Sequence, residues 1–298
     1  MELEKVGSLW KVKNGSELHK ACISTLHRYW GTQPGSYFPG PQPVSIERRH
    51  FHLLKENDYL VCEKTDGVRN VMICFMYNEK KMCVLMNRSF ECTLYPLNLP
   101  RTAFQGTVLD GELIGKDYLV YDAVAVSGES VAKLGLLDRM EASEQFIKGI
   151  LKLKTDPIVV RLKIMHLFAE FPAFLEHYKT LTNVDGIILT PINEPIRTGT
   201  HETLFKWKPR DLNTIDFQMK KGDLYVQDKN ELIFESRLDK VPDWLTEDAI
   251  VECQYVNKKW KPLNLRTDKK HPNSRRTFYR TLKNISEDIQ IEEFSALV

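Results

Sequence analysis

A lysine beside a turn is the first feature of this sequence that could do chemistry. Lys64 follows the apolar segment Tyr59–Cys62 and precedes the pair Asp66-Gly67, which predicts a strand that ends at the floor of a cleft. A neutral lysine amine is a nucleophile, but an ordinary lysine, with a pKa of about 10.4, is almost wholly protonated at neutral pH. Neighbouring cations or desolvation must therefore lower its pKa. Most lysines are simply exposed surface residues, so the role needs support from elsewhere in the chain.

Two further lysines could supply that support. Lys206 and Lys208 flank Trp207, and alternation along a strand places both lysines on one face and the tryptophan on the other. Two lysines directed at one site favour phosphate binding. The same two charges would contribute to the cationic field that a nucleophilic Lys64 requires.

Five more short motifs follow Lys64 in order along the chain. They are Asp110–Leu113, Tyr118–Asp122, Asp185–Ile188, Lys206–Pro209 and Arg266–Lys269. Together with Glu63-Lys64-Thr65-Asp66-Gly67-Val68-Arg69, they resemble the covalent nucleotidyltransferase superfamily, and most closely its mRNA capping guanylyltransferase branch. The resemblance extends from about Phe38 to Asn273.

The resemblance implies a two-step reaction and a set of nucleotide-binding residues. Lys64 would attack GTP to form a lysine-linked GMP, which the diphosphate end of an RNA would then take up, with Lys206 and Lys208 on the α-phosphate. The nucleotide-binding set comprises Arg69 and Glu112 for the ribose hydroxyls, Tyr121 stacked on guanine, Lys163 (with Arg161 as the alternative) at the guanine carbonyl oxygen, and Thr65 beside the nucleophile.

The resemblance also implies a metal site and a closing lid. Asp185 and Glu112 are the expected carboxylates for Mg²⁺ or Mn²⁺, with few protein ligands because magnesium retains waters and bridges phosphates. Arg266, Asp268 and Lys269 would reach the β- and γ-phosphates only when the cleft closes.

The predicted fold class is α+β, with antiparallel sheets and flanking helices followed by a C-terminal OB-fold β-barrel. We predict a nucleotidyltransferase domain at residues 1–212, an OB-fold lid at 213–275, and a C-terminal helix at 276–298 that packs back on the first domain. Five or so short strands after Pro209 suit a small barrel, and the resemblance makes it an OB-fold.

Three helices are predicted from apolar spacing and capping residues. The first covers residues 15–33. The second is Leu134–Leu153, with a stripe that includes Leu137 and Leu153. The third is a short terminal helix capped by Ser286.

Composition indicates a reducing compartment, and we expect the nucleus. The 298 residues are 42% hydrophobic and 28% charged, the six cysteines are scattered without metal-ligand spacing, and the start of the chain does not have the pattern of a secretory signal. No apolar run approaches the ~20 residues needed to cross a bilayer, so no membrane partner is expected. Residues 258–283 carry ten Lys or Arg against one Asp, which suits a polyphosphate or an RNA end, although such runs are often solvated surfaces.

The sequence does not have the phosphatase pattern H-C-x(5)-R. A separate RNA triphosphatase is therefore an expected partner, along with 5′-diphosphate RNA and the phosphorylated tail of RNA polymerase II. Two alternatives stay open: an ATP-dependent polynucleotide ligase, and a non-catalytic RNA-binding OB module. Intact Lys64, Glu112, Lys206 and Lys208 argue against the second.

Overall fold

The computed structural model describes residues 2–35, 37–267 and 269–298. They form a mixed α+β fold, as predicted. The α-helices are α1 Glu17–Trp30, α2 Phe51–Glu56, α3 Leu136–Lys148, α4 Phe171–Tyr178 and α5 Arg275–Glu287. Within these ranges, no helix is both long and apolar enough to span a membrane.

Two sheets make up the larger part of the molecule. The first has the order β1-β2-β7-β6-β5-β8-β9-β10, with β11 parallel to β9. Its strands are β1 Leu3–Val6, β2 Leu9–Val12, β5 Val68–Tyr77, β6 Lys80–Asn87, β7 Cys92–Leu94, β8 Thr107–Ile114, β9 Asp117–Val126, β10 Glu129–Ser130 and β11 Val159–Leu162. The second has the order β12-β4-β13-β14-β3. Its strands are β3 Gln42–Ser45, β4 Tyr59–Thr65, β12 His166–Leu167, β13 Val184–Pro191 and β14 Thr200–Trp207.

The chain passes from the second sheet to the first where β4 ends and β5 begins. Only Asp66 and Gly67 separate the two strands, so the Lys64 segment lies at the junction of the sheets. Apolar clusters cover both faces of the first sheet, one including Tyr118 and Phe146 and the other Leu26 and Val71. The strands that bear the candidate site are therefore held from both sides.

The third sheet is antiparallel and has the order β17-β16-β15-β18-β19. Its strands are β15 Thr214–Lys220, β16 Asp223–Asp228, β17 Glu231–Arg237, β18 Ile250–Val256 and β19 Lys259–Leu265. Five short strands were predicted here, while closure into an OB-fold barrel stays a prediction, as do the domain boundaries at residues 212 and 275.

The C-terminal segment differs from the prediction of one helix capped by Ser286. The cap of α5 is Ser274, whose side chain accepts a hydrogen bond from the Thr277 backbone, and Ser286 lies in the last turn. The helix ends at Glu287 because Asp288 adopts a left-handed conformation, and a separate 3₁₀ helix covers Ile291–Leu297. Sequence reasoning placed the cap too late because the apolar residues beyond Ile285 continue at helical spacing.

This segment contacts two parts of the molecule. Phe278 and Ile285 of α5 pack in the core of the third sheet, whereas Ile289 and Phe294 pack in the core of the second. Trp207 Nε1 donates to the Ile289 carbonyl oxygen at 2.8 Å. The chain end therefore ties the second and third sheets together.

The other two helix predictions were correct in position. The first, predicted at residues 15–33, is α1, and Ser16 caps it. The second helix, α3, is shorter than predicted and ends before Gly149. Two residues of the predicted apolar stripe, Leu137 and Leu153, are about half exposed, whereas its other members, Met140, Phe146 and Ile150, are buried.

Candidate active site

One cavity of about 600 Å³ gathers most of the predicted site residues. It lies at the junction of the first two sheets. Its lining includes Lys64, Thr65, Arg69, Glu112, Tyr121, Lys163, Lys206 and Lys208. These residues come from β4, β5, β8 and β9, from β14 and the residue that follows it, and from the segment after β11, so motifs that are distant in sequence meet in space.

Lys64 forms an ion pair with Asp185. Its Nζ donates to Asp185 Oδ1 at 2.8 Å, and Lys208 Nζ contacts the other carboxylate oxygen at 2.6 Å. Burial favours the neutral acid, but hydrogen bonds from Lys208 and Lys64 more than offset it, so the pKa of Asp185 is lowered. One ionised carboxylate therefore holds two of the three predicted lysines in place.

The position of Asp185 depends on a bulge in β13. The pairing of β13 with β4 shifts register between Val184 and Ile187, and Gly186 has a φ of +148°. A Cβ at Gly186 would lie 1.9 Å from the Trp207 carbonyl oxygen, a distance no side chain could accept. Glycine therefore allows the chain at Asp185 to approach the end of β14 and the lysine that follows it, Lys208.

Lys206 and Lys208 lie on the predicted face. Both line the cavity, while Trp207 packs in the core on the opposite side. Burial and, to a smaller extent, the neighbouring charges of Lys208 and Lys64 together lower the pKa of Lys206 to about 8. The neighbouring positive charges expected from the sequence therefore contribute to the lowered pKa of Lys206.

This pKa predicts a pH-dependent affinity for a nucleoside triphosphate. As the pH rises through about 8, Lys206 loses its charge, so binding of a non-reactive triphosphate analogue should weaken on the order of tenfold or more, the value of one charged hydrogen bond. Lys206→Met should bind weakly at every pH and lose this inflection. Titration calorimetry between pH 7 and 9.5 measures both, and an inflection that persists in Lys206→Met would contradict the assignment.

The ribose- and base-binding candidates are held by a buried carboxylate that sequence reasoning did not select. Asp110 accepts from Arg69 Nε at 3.0 Å and Arg69 Nη2 at 2.5 Å, and from the Tyr121 hydroxyl at 2.9 Å. Arg69 Nη1 donates to the Pro41 carbonyl oxygen. The available signal was the alternation in β8, which places Asp110 and Glu112 on one side of the strand.

Lys163 is similarly tied down. It is only 5% exposed, its Nζ contacts Glu63 Oε1 at 2.7 Å, and it donates to Thr65 Oγ1 at 3.3 Å. Glu63 was also missed, although it is adjacent to Lys64 in sequence. These contacts link the predicted base-binding lysine to the strand that carries the nucleophile.

The two candidate metal ligands fit a cation held mainly by water and phosphate. Glu112 lines the cavity and its pKa is raised by burial, against the opposing charges of Lys64 and Arg69. Both oxygens of Asp185 are engaged by lysines. In the described part of the chain, no group of three or more His, Cys, Asp or Glu side chains could hold a metal ion. Glu112 is thus the candidate carboxylate that lines the cavity without a lysine on each oxygen, and a divalent cation that prefers oxygen ligands and keeps its waters needs few protein ligands.

The predicted lid residues lie apart from the cavity. Arg266 Nη1 donates to both oxygens of Asp216, at 2.9 and 3.0 Å, and Lys269 Nζ also contacts that carboxylate. Asp216 is a buried residue of β15 that sequence reasoning missed, although an acid in an apolar strand was a signal. Asp268 lies outside the described residues. In this conformation the two cations are held on the third sheet.

Comparison with known proteins identifies the family. Residues 4–210 match the family described as mRNA capping enzyme, catalytic domain, and residues 216–295 match mRNA capping enzyme, C-terminal domain. The mRNA-capping enzyme subunit alpha of Schizosaccharomyces pombe is 30% identical, over 88% of this chain and 80% of that protein. The mRNA-capping enzyme of Danio rerio is 29% identical, over 86% of this chain and 48% of its own length.

The chain thus spans about half the length of the vertebrate relative. Among solved structures, a mycobacterial DNA ligase D complexed with ATP and MES is 14% identical with a TM-score of 0.44, and the match covers 78% of this chain and 95% of that one. The two family matches together span nearly the whole chain in the order catalytic domain, C-terminal domain. This chain belongs to the mRNA capping enzyme family.

Proposed function

We propose that this chain transfers GMP from GTP to the 5′-diphosphate end of RNA through a covalent intermediate on Lys64. The observation that carries the proposal is the placement of Lys64 in a nucleotide-sized cavity, with Lys206 and Lys208 lining the same space. Asp185 neutralises part of the charge of these lysines, and a bound triphosphate would neutralise the rest.

In the first step, Lys64 Nζ forms a bond to the α-phosphorus, the bond to pyrophosphate breaks, and the amine loses its proton. Lys206 and Lys208 stabilise the charge on the phosphoryl oxygens. A divalent cation, Mg²⁺ or Mn²⁺, would neutralise part of the pyrophosphate charge, and Asp185 and Glu112 would hold it.

In the second step, a β-phosphate oxygen of the RNA end attacks the same phosphorus. The phosphorus–nitrogen bond breaks and Lys64 regains a proton. Intact mass measurement after incubation with GTP and Mg²⁺ tests the proposal: the mass should increase by one GMP and return to its original value on addition of pyrophosphate. A protein that gains no mass would refute the covalent route.

We further propose the cellular setting that this reaction requires. The acceptor needs a diphosphate end, so an RNA triphosphatase must act first, on another chain or another segment. The protein would act in the nucleus, near the phosphorylated tail of RNA polymerase II. Division into a nucleotidyltransferase domain, an OB-fold lid and a C-terminal segment belongs to the same proposal.

The lid proposal predicts unequal effects on the two steps. Arg266→Ala and Lys269→Ala should slow attack on GTP, where pyrophosphate leaves, at least tenfold more than transfer from a pre-formed intermediate. Single-turnover rates of each step measure this, with thermal unfolding as a control because both residues also neutralise Asp216. Equal losses in both steps would contradict the lid assignment.

A further inference from the structure

A second cavity adjoins the nucleotide cavity and is not used by the chemistry described so far. It encloses about 210 Å³ between the end of β14, the segment that follows it and helix α5. Lys206 and Lys208 line both cavities. A group bound in the second cavity would therefore lie next to the lysines that hold the α-phosphate.

The α5 wall of this cavity is polar. Thr277, Thr281 and Asn284 recur at positions i, i+4 and i+7 and face the cavity, while Phe278 and Ile285 on another face are buried in the core. Asn284 Nδ2 donates to the Ile46 carbonyl oxygen at 2.7 Å. In the part of the chain that the structure describes, Asn284 Oδ1 is a buried acceptor without a hydrogen-bond partner. A buried acceptor of this kind is costly unless a donor arrives.

A basic stripe runs along the neighbouring face of α5. Arg276, Arg280 and Lys283 also recur at i, i+4 and i+7. The two arginines contact Glu202 only at 3.6 and 3.9 Å, and ion pairs that exposed are weak. Lys283 pairs with Glu287 at 3.1 Å, so the two arginines are the charges available to a polyanion that passes beside the cavity.

We propose that this cavity and the α5 stripe bind the 5′-terminal nucleotides of the acceptor RNA. The proposal rests on the proposed function. The acceptor phosphate must approach the α-phosphorus beside Lys206 and Lys208, and the second cavity opens at those residues. Hydroxyl and amide groups suit the first ribose and its phosphate, and the arginines suit the phosphates that follow.

The test compares two ways of discharging the same intermediate. The Arg276→Ala/Arg280→Ala double variant is charged with GTP, freed of nucleotide, and then treated with 5′-diphosphate RNA or with pyrophosphate. The RNA concentration for half-maximal discharge should rise roughly tenfold more than that for pyrophosphate. A plot of log affinity for RNA against log salt concentration should also become less steep by about 1.4, because each of the two lost phosphate contacts contributes ~0.7 to its slope. The matched control is Arg237→Ala/Lys259→Ala, which removes two cations from exposed strand positions of the third sheet.

A cavity-filling variant provides independent support. Thr281→Leu introduces a good helix former and occupies part of the cavity, so discharge by RNA should slow while discharge by pyrophosphate changes little. The inference is overturned if both α5 variants discharge to RNA as the control does, or lose both reactions equally. A wild-type chain that never forms the intermediate overturns the proposed function as well, so the two failures are distinguishable.

Discussion

Lys64→Ala is expected to abolish covalent attachment of GMP and leave the fold intact. The amine is the only atom of this side chain that can form the bond to phosphorus, so its removal should leave no covalent product. Asp185 keeps its contact with Lys208 at 2.6 Å, and the lost pair is partly exposed, so unfolding free energy should change by about 1 kcal/mol or less.

Lys64→Arg is the matched control for this prediction. It keeps the positive charge near Asp185, but a guanidinium stays protonated and is not a nucleophile. Both variants should therefore fail to label, with thermal unfolding close to that of the unchanged protein. Residual label on either one would place the nucleophile elsewhere.

Asp110→Ala is expected to cost about 3–5 kcal/mol of unfolding free energy, the usual result of removing one partner of a buried ion pair. Asp110 is 1% exposed and accepts hydrogen bonds from both Arg69 and Tyr121. Its removal would leave the Arg69 guanidinium buried opposite an empty space. Because the two partners line the nucleotide cavity, affinity for GTP should fall as well.

Asp117→Ala on the neighbouring strand β9 is the matched control. Asp117 pairs with Arg161 at 2.7 Å, but both side chains are about half exposed, so its loss should cost no more than about 1 kcal/mol. Urea unfolding followed by circular dichroism measures both variants. Similar losses for Asp110→Ala and Asp117→Ala would show that the buried pair does not stabilise the fold as described.

The sequence predicted the elements that local patterns determine. The first helix, predicted at residues 15–33, lies within a few residues of α1, because capping residues act over short distances. The C-terminal helix was misplaced because its apolar residues serve two different cores. Ile285 packs on the third sheet and Phe294 on the second, and helical spacing alone cannot distinguish these partners.

The site could be predicted as a set of residues but not as a set of contacts. The motif lysines and Glu112 line one cavity. They could be selected from the sequence because lysine is the residue type that phosphate binding requires. Asp110 and Asp216 were missed because each acts through other residues, as a buried acceptor that holds arginine, lysine or tyrosine in position. The pairings of Asp110 with Arg69 and of Asp216 with Arg266 join segments that are distant in sequence, so the sequence shows an acid at each position but not its partner.

Covalent labelling with α-phosphate-labelled GTP, and with ATP in parallel, tests the central claim most directly. The protein is incubated with Mg²⁺, resolved on a denaturing gel, and chased with 5′-diphosphate RNA. We predict label from GTP alone, absent in Lys64→Ala and released as capped RNA. Label from ATP alone would indicate a polynucleotide ligase, and label from neither nucleotide would indicate a non-catalytic RNA-binding protein; either result would contradict the proposed function.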